Sequence, residues 1–363
     1  MLKILNVGVQ EFLYKTKGKK IIVWGAGKAS NIYFQTIFSE NVEIPYIVDN
    51  NKKIWGTDYI FGDKRYPIIS PTQFYELVDK DRNYVLFIAP IHFAGEIIEQ
   101  LNSVGQLDGI ETYMGILLRD YYKKIDFEYT LGKNKIPKMI HYFWVGGKEI
   151  PDNLKRCIET WKKYNPDYKI IRWDESNYDF TKIPYMREAY NEKKWGFVPD
   201  YARLDVIYQY GGIYLDTDVE VISSFDNLLN DEMFCGFLCN YIIAFGLGFG
   251  AIKGHWLIKE LRDYYNDKSF YNDDGSLNLK NCREYQHPVL LKHGFDLENR
   301  YQKQNDIVIY PSEVMAPTGI SGVANNFTDK TVSIHRTNMS WTDQKTKELF
   351  YAHQKKLKQF MTK

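Results

Sequence analysis

Asp216, Thr217 and Asp218 set two carboxylates two residues apart, directly after the apolar run Ile213, Tyr214, Leu215. In an extended segment residues i and i+2 project to the same face. The spacing therefore predicts both carboxylates on one side of a strand end, where open α/β sheets bind ligands. Paired hard oxygens suit Mn²⁺ or Mg²⁺, ions that keep positions open for the oxygens of a diphosphate. The tripeptide alone is not specific, because Asp79-Lys80-Asp81 repeats it in what reads as a solvated turn between a helix and a strand. Setting separates the copies. Upstream of Asp216, Asp200 and Arg203 lie three apart in a helical stretch and share a face, placed to reach a ribose hydroxyl and a phosphate. The alternative for that pair is a surface ion pair, worth little.

The elements that must hold these residues can be read around them. Residues 200–210 predict a helix stopped by Gly211-Gly212, with a strand at 213–215. Residues 138–144 predict a strand closed by Val145-Gly146-Gly147, and 168–173 a second. Between them, Leu154, Cys157, Ile158 and Trp161 mark a helix over 151–164. The first part of the chain alternates in the same way. Strands are predicted at 20–24, 44–48 and 84–89, and helices from 28 to about 38, from 71 to 77 and from 94 to 101. Short apolar strands with helices between them predict an α/β fold with a parallel sheet covered on both faces. The charged segment 121–135, with Gly132, Asn134 and no periodicity, predicts a linker.

Bulk composition narrows the function classes. At 363 residues the chain is longer than one core usually organises, so two domains are expected. It is 44% hydrophobic and 26% charged, ordinary for a globular protein that needs neither disulfides nor a structural metal. With 47 basic and 46 acidic side chains the net charge is +1, which argues against nucleic acid as the main partner. Cys157, Cys235, Cys239 and Cys282 form no CxxC pair and read as free thiols in a reducing compartment. Residues 1–6 open no apolar h-region, so no signal peptide is predicted, and the expected location is cytoplasmic. Residues 233–252 carry no charge and are long enough to span a bilayer. Gly236, Gly246, Gly248, Gly250 and Asn240 interrupt that run, which predicts buried strands instead.

The stretch from Phe197 to Asp218, FVPDYARLDVIYQYGGIYLDTD, closely resembles the signature of glycosyltransferase family 32. That family includes capsular-polysaccharide enzymes and fungal mannosyltransferases, and is similar to the catalytic domains of clostridial glucosylating toxins. The resemblance extends upstream over IPKMIHYFWVGG, from Ile136 to Gly147, and downstream over Thr331 to His335 and Ser340-Trp341. It implies a nucleotide-diphospho-sugar transferase domain of GT-A type over residues 136–342. On it, Trp144 corresponds to the aromatic residue that stacks on the donor base. Asp200 and Arg203 correspond to donor-sugar contacts, with Tyr214 beside them. Asp216 would touch the donor and reach the metal indirectly, and Asp218 would ligate it. His335, Ser340 and Trp341 correspond to a closing loop that completes the metal shell, although Arg336 stands where the family has a second histidine. A structural histidine is the alternative for His335. Gly246 and Gly248 fall where the family has small residues lining the sugar pocket, ordinary turn glycine being the other reading.

The resemblance implies transfer from a nucleotide-sugar donor, a UDP-sugar by preference, to a glycan or lipid-linked glycan in bacterial surface or capsular polysaccharide synthesis, with retention. Asp216, Asp218 and Arg203 carry the chemistry in this reading. Two other classes stand beside it. A protein that keeps the fold could bind a sugar nucleotide without turnover. Residues 1–125 offer the other: Gly25-Ala-Gly27-Lys-Ala-Ser30 follows a strand and opens a helix, and Asp49 ends the next strand. That is most of a dinucleotide fingerprint, and would suit an NAD-dependent oxidoreductase or epimerase. No Tyr-xxx-Lys pair or catalytic cysteine follows in a suitable place. The segment resembles truncated Rossmann-like modules attached to polysaccharide-assembly enzymes, so an accessory domain is expected. Residues 343–363 predict a basic helix that either packs on its own domain or rests peripherally on the inner face of the membrane.

Overall fold

The computed structural model describes residues 1–38, 42–90, 93–121, 126–337 and 344–361. Two compact units divide the chain, Met1–Tyr121 together with Gln344–Lys363, and Tyr122–Asp343. Both are α/β.

The sheet of the first unit runs, edge to edge, Lys3–Leu5, Glu111–Met114, Tyr84–Ile88, Lys20–Trp24, Glu43–Val48, Lys64–Ile69, Asp58–Phe61. All neighbours are parallel except the last pair, an antiparallel hairpin. Counted from Lys20–Trp24, the parallel strands fall in the order 3-2-1-4-5, which is the doubly wound Rossmann order. Lys3–Leu5 takes the place of a sixth strand. The module is therefore nearly complete, not reduced to half its strands as the sequence suggested. The hairpin and Lys3–Leu5 escaped notice because they are short and carry exposed, charged residues, whereas Tyr84–Ile88 is buried throughout. Ser70 and Gln73 cap the helix Pro71–Lys80 reciprocally, with proline at its first turn.

The helix Gln344–Met361 belongs to this first unit. Phe350, His353 and Leu357, spaced along one helical face, are buried, and Lys356 pairs with Glu96 and Glu99 on the helix Ala94–Asn102. Of the apolar side chains on this helix, Phe350 and Leu357 are thus covered by protein, whereas Leu349 is exposed. No described helix is long and apolar enough to cross a membrane.

In the second unit the main sheet runs Gln302–Gln304, Ile307–Tyr310, Met233–Cys239, Phe249–Ala251, Gly212–Tyr214, Met139–Phe143, Lys169–Trp173. Phe249–Ala251 runs antiparallel to both neighbours, and the last three strands run parallel to one another. Burial alternates with the pleat. Tyr214, Met233, Cys235, Phe237, Ile307 and Ile309 join the core on one face, with the helix Pro199–Tyr210. Ile140, Ile213, Phe234, Val308 and Tyr310 join the other, with Trp161 of the helix Asp152–Tyr164. The uncharged run 233–252 is strand and turn within this sheet. The expected linker proves partly structural. Phe127 is buried and its ring stacks on Tyr301 at 4.9 Å, and the Tyr129 hydroxyl donates to the Lys330 carbonyl at 3.0 Å. The second unit therefore begins before residue 136.

A candidate metal and donor site at the strand ends

The helix Pro199–Tyr210 carries both members of the Asp200–Arg203 pair inward, each 4% exposed. It stops at Gly211, whose φ of +71° favours glycine and where a Cβ would meet the Lys253 amide nitrogen at 2.8 Å. Gly212, at φ +101°, has no more room: a Cβ would lie 2.8 Å from the Met139 carbonyl oxygen. The double glycine is thus what lets the chain drop from the helix into the middle of the sheet beside Met139–Phe143.

His141 holds this junction. One ring nitrogen, Nε2, lies 3.0 Å from the Gly211 carbonyl oxygen, and Nδ1 accepts from the Trp173 indole at 3.1 Å. That leaves Nε2 as the donor. Burial pushes the His141 pKa down to about 4. The sequence reading passed over this residue, although a histidine inside an apolar strand was the available signal.

The carboxylates meet in a way the sequence argument did not foresee. The strand Gly212–Tyr214 ends before Asp216, and residues 216–219 form a turn closed by Val219 N–H donating to Asp216 C=O at 3.1 Å. A turn, not strand alternation, brings Asp216 and Asp218 together. The Asp216 amide donates to the Gly246 carbonyl at 3.2 Å, and its Oδ1 accepts from the Tyr214 hydroxyl at 2.8 Å. Arg203 Nη1 stands 3.8 Å from the same oxygen. After the turn, Val219–Val221 pairs antiparallel with Ser333–His335, with Val219 opposite His335. This register sets His335 Nε2 3.5 Å from Asp218 Oδ1. One ligand atom from each of Asp216, Asp218 and His335 lies within 4.8 Å of the others. Two carboxylates and an imidazole form a donor set suited to a divalent ion, so the residues present fit one.

Arg203 is fixed on four sides. Its Nη2 donates to Asp200 Oδ1 at 2.6 Å and its Nε to the Pro199 carbonyl at 3.0 Å. The guanidinium also lies over the Tyr214 ring at 5.1 Å. This is a buried, oriented cation and not the surface ion pair that was its alternative. Burial pushes the Asp200 pKa up to about 7 against the pull of Arg203. Burial likewise raises that of Asp216, with Arg203 again opposing.

The remaining expected residues fall out as follows. Trp144 is half-buried just past Met139–Phe143, its indole donating to the Lys148 carbonyl at 2.5 Å. It lies at the same edge of the sheet as the Asp216 turn, because the two strands are parallel neighbours. Gly246 abuts Asp216, since a Cβ there would collide with Asp216 Oδ2. Gly248 answers to backbone geometry, with φ +134° and Leu215 at 2.9 Å from a would-be Cβ. Ser340 and Trp341 lie outside the described residues. In the first unit, Gly25 has φ +108°, and Ala26 N–H donates to Asp49 Oδ2 at 2.8 Å while Asn51 N–H donates to Oδ1 at 2.8 Å. Both oxygens of the fingerprint aspartate thus bond to backbone amides.

Comparison with known proteins adds to this geometry. Residues 17–109 match a family described as C2185-like, N-terminal. Inositol phosphoceramide mannosyltransferase 3 of Schizosaccharomyces pombe is 37% identical over 103 residues, 26% of this chain and 28% of that protein. Mannosyl phosphorylinositol ceramide synthase of Saccharomyces cerevisiae is 33% identical over 98 residues, 26% of this chain and 25% of that protein. The chain thus spans about a quarter of the length of these curated relatives. Among solved structures, the PaToxG glycosyltransferase superposes with a TM-score of 0.34 at 18% identity, covering 44% of this chain and 70% of that one, a likeness too slight to bear on the fold. Residues 151–235, which carry both the Asp200–Arg203 pair and the Asp216–Asp218 turn, match the family described as glycosyltransferase sugar-binding region containing DXD motif.

Proposed function

We propose that this protein is a metal-dependent glycosyltransferase that moves a sugar from a nucleotide-sugar donor to a glycan or lipid-linked acceptor. One observation carries the reading: Asp216, Asp218 and His335 converge beside a buried, four-point-held arginine at the carboxyl edge of parallel strands. Asp218 and His335 would hold the ion directly, and Asp216 would share it while touching the donor. When bound, a divalent ion such as Mn²⁺ or Mg²⁺ supplies charge that offsets the negative charge growing on the departing nucleoside diphosphate.

The chain's own residues do the rest. Arg203 presents a fixed positive charge to the diphosphate and needs no reorganisation as charge develops there. Asp200 keeps that guanidinium in place. Trp144 offers a flat face to the base from the neighbouring strand end. Asp216 places negative charge where the anomeric carbon becomes cationic, which accords with retention of configuration. The first unit is proposed as an accessory scaffold, supported by the engagement of Asp49 with backbone amides. The mannosyltransferase names of the relatives put GDP-mannose beside UDP-sugars as a donor, and a growing bacterial surface glycan is the proposed acceptor.

The test is a panel of UDP- and GDP-sugars, scored for release of nucleoside diphosphate with Mn²⁺, with Mg²⁺ and with EDTA. Metal-dependent release from one of them is expected. Binding of a donor with no release under any metal would make the protein a sugar-nucleotide binder instead.

A further inference from the structure

The helix Cys282–Lys292 begins beside the donor site, and two of its side chains take no part in the account so far. Cys282, in its first turn, stands close enough to Asp200, Arg203 and Asp216 to interact with all three charges, and is within hydrogen-bonding reach of the Asp200 carboxylate. It keeps partial exposure, whereas Cys157, Cys235 and Cys239 are buried. Gln286 lies four residues on, hence on the same helix face. Long helical side chains lean toward the helix N-terminus, so Gln286 reaches back over the turn that carries Cys282. It is fully buried, and neither its amide nitrogen nor its amide oxygen has a partner among the described residues.

Two buried polar atoms left without partners are unfavourable unless a ligand or a water meets them. An amide that offers one donor and one acceptor side by side is the complement of a sugar hydroxyl, which also both donates and accepts. We propose that Cys282 and Gln286 form the wall of the donor-sugar subsite, the thiol in contact with the sugar ring and the amide behind it reading a hydroxyl. The assignment rests on the donor reading above and goes further, because it names residues that select among sugars and do not hold the diphosphate. The thiol wall limits the size of the ring substituent, and the amide rewards a hydroxyl over a hydrogen at that position.

Two measurements on the full-length protein test it, with UDP-glucose, UDP-N-acetylglucosamine and GDP-mannose as probes beside UDP and GDP. First, methyl methanethiosulfonate labelling of wild type reports on Cys282, the partly exposed thiol. The nucleotide sugar that is hydrolysed should slow labelling about tenfold beyond its nucleoside diphosphate alone. Second, Gln286→Met removes the amide at nearly constant volume. It should raise the dissociation constant of that nucleotide sugar about tenfold, leave the nucleoside diphosphate unchanged, and melt no lower than wild type. Should Gln286→Met not fold, Gln286→Asn withdraws the amide by one methylene and carries the same expectation. Equal labelling with and without the sugar, or an unchanged ratio of the two dissociation constants, overturns the assignment and points to a buried water as the partner of Gln286. If no probe is hydrolysed or bound by wild type, the donor reading itself has failed.

Discussion

The chain contains the same tripeptide pattern twice, and the two copies behave differently. Asp79 and Asp81 sit where the helix Pro71–Lys80 gives way to the next strand. There Asp81 accepts the Asn83 amide at 2.9 Å and pairs with Lys20 at 3.0 Å, so its carboxylate closes a turn. Asp216 and Asp218 also occupy a turn, but Arg203, Tyr214 and Gly246 crowd the first, and a strand pairing delivers His335 to the second. Two aspartates at this spacing are local and cheap to form. The buried cation, Arg203, lies 13 residues before Asp216 and the third candidate ligand, His335, lies 119 residues after it, and they make the difference.

After the metal ligand itself, the comparison breaks most severely at Arg203. Arg203→Lys keeps the charge but cannot reproduce contacts to Pro199, Asp200, Asp216 and the Tyr214 ring together. Donor hydrolysis should fall about 10- to 100-fold with the fold retained, as read by kcat/KM and near-UV circular dichroism. A smaller effect is expected at Gly246. Gly246→Ala forces its methyl against the Asp216 carboxylate, so activity should drop about tenfold and stability by about 1–3 kcal/mol.

Acid should weaken the frame around the second copy. The folded-state pKa of His141 is about 4, below its ordinary 6.5. Between those values the unfolded chain takes up a proton that the folded chain refuses, so stability falls as pH drops from 6.5 to 4. The loss is roughly 3 kcal/mol from this group, and it levels off below pH 4. Urea melts of wild type and His141→Gln across that range should show a shallower decline in the variant. The smallest effect sharpens the comparison by removing the first copy altogether. A fragment of residues 122–343 should keep most donor turnover. A start near residue 131 would cut away Phe127 and Tyr129, which pack within the second unit.

Much of this was legible in the sequence, for physical reasons. Lys20–Trp24, Tyr84–Ile88 and Met139–Phe143 are short apolar runs between breakers, and Gly211-Gly212 marks a helix stop. Asp200, Arg203, Asp216 and Asp218 could be named because they are close in the chain. Strand alternation does not pair the two carboxylates; a turn closed by the Val219 amide and the Asp216 carbonyl does. His335 was reached through resemblance, and its delivery depends on a pairing across more than a hundred residues that no local pattern encodes. His141 was passed over, and Cys282 reads from the sequence only as a free thiol, because what they touch lies on other elements of the fold. The terminal helix was read correctly as amphipathic, but amphipathicity does not say what covers the apolar face; here Phe350 and Leu357 turn into the first unit.

The central claim is that Asp218 holds a metal and Asp81 does not. Calorimetric titration of Mn²⁺ into wild type, Asp218→Asn and Asp81→Asn tests it directly, with donor hydrolysis measured on the same preparations. The account predicts one site in wild type and in Asp81→Asn, with equal activity. For Asp218→Asn it predicts affinity lower by at least about tenfold and hydrolysis lower by about a hundredfold or more, in a protein that still folds. An Asp218→Asn protein that binds Mn²⁺ as wild type does, and hydrolyses donor at the wild-type rate at limiting metal, would contradict it.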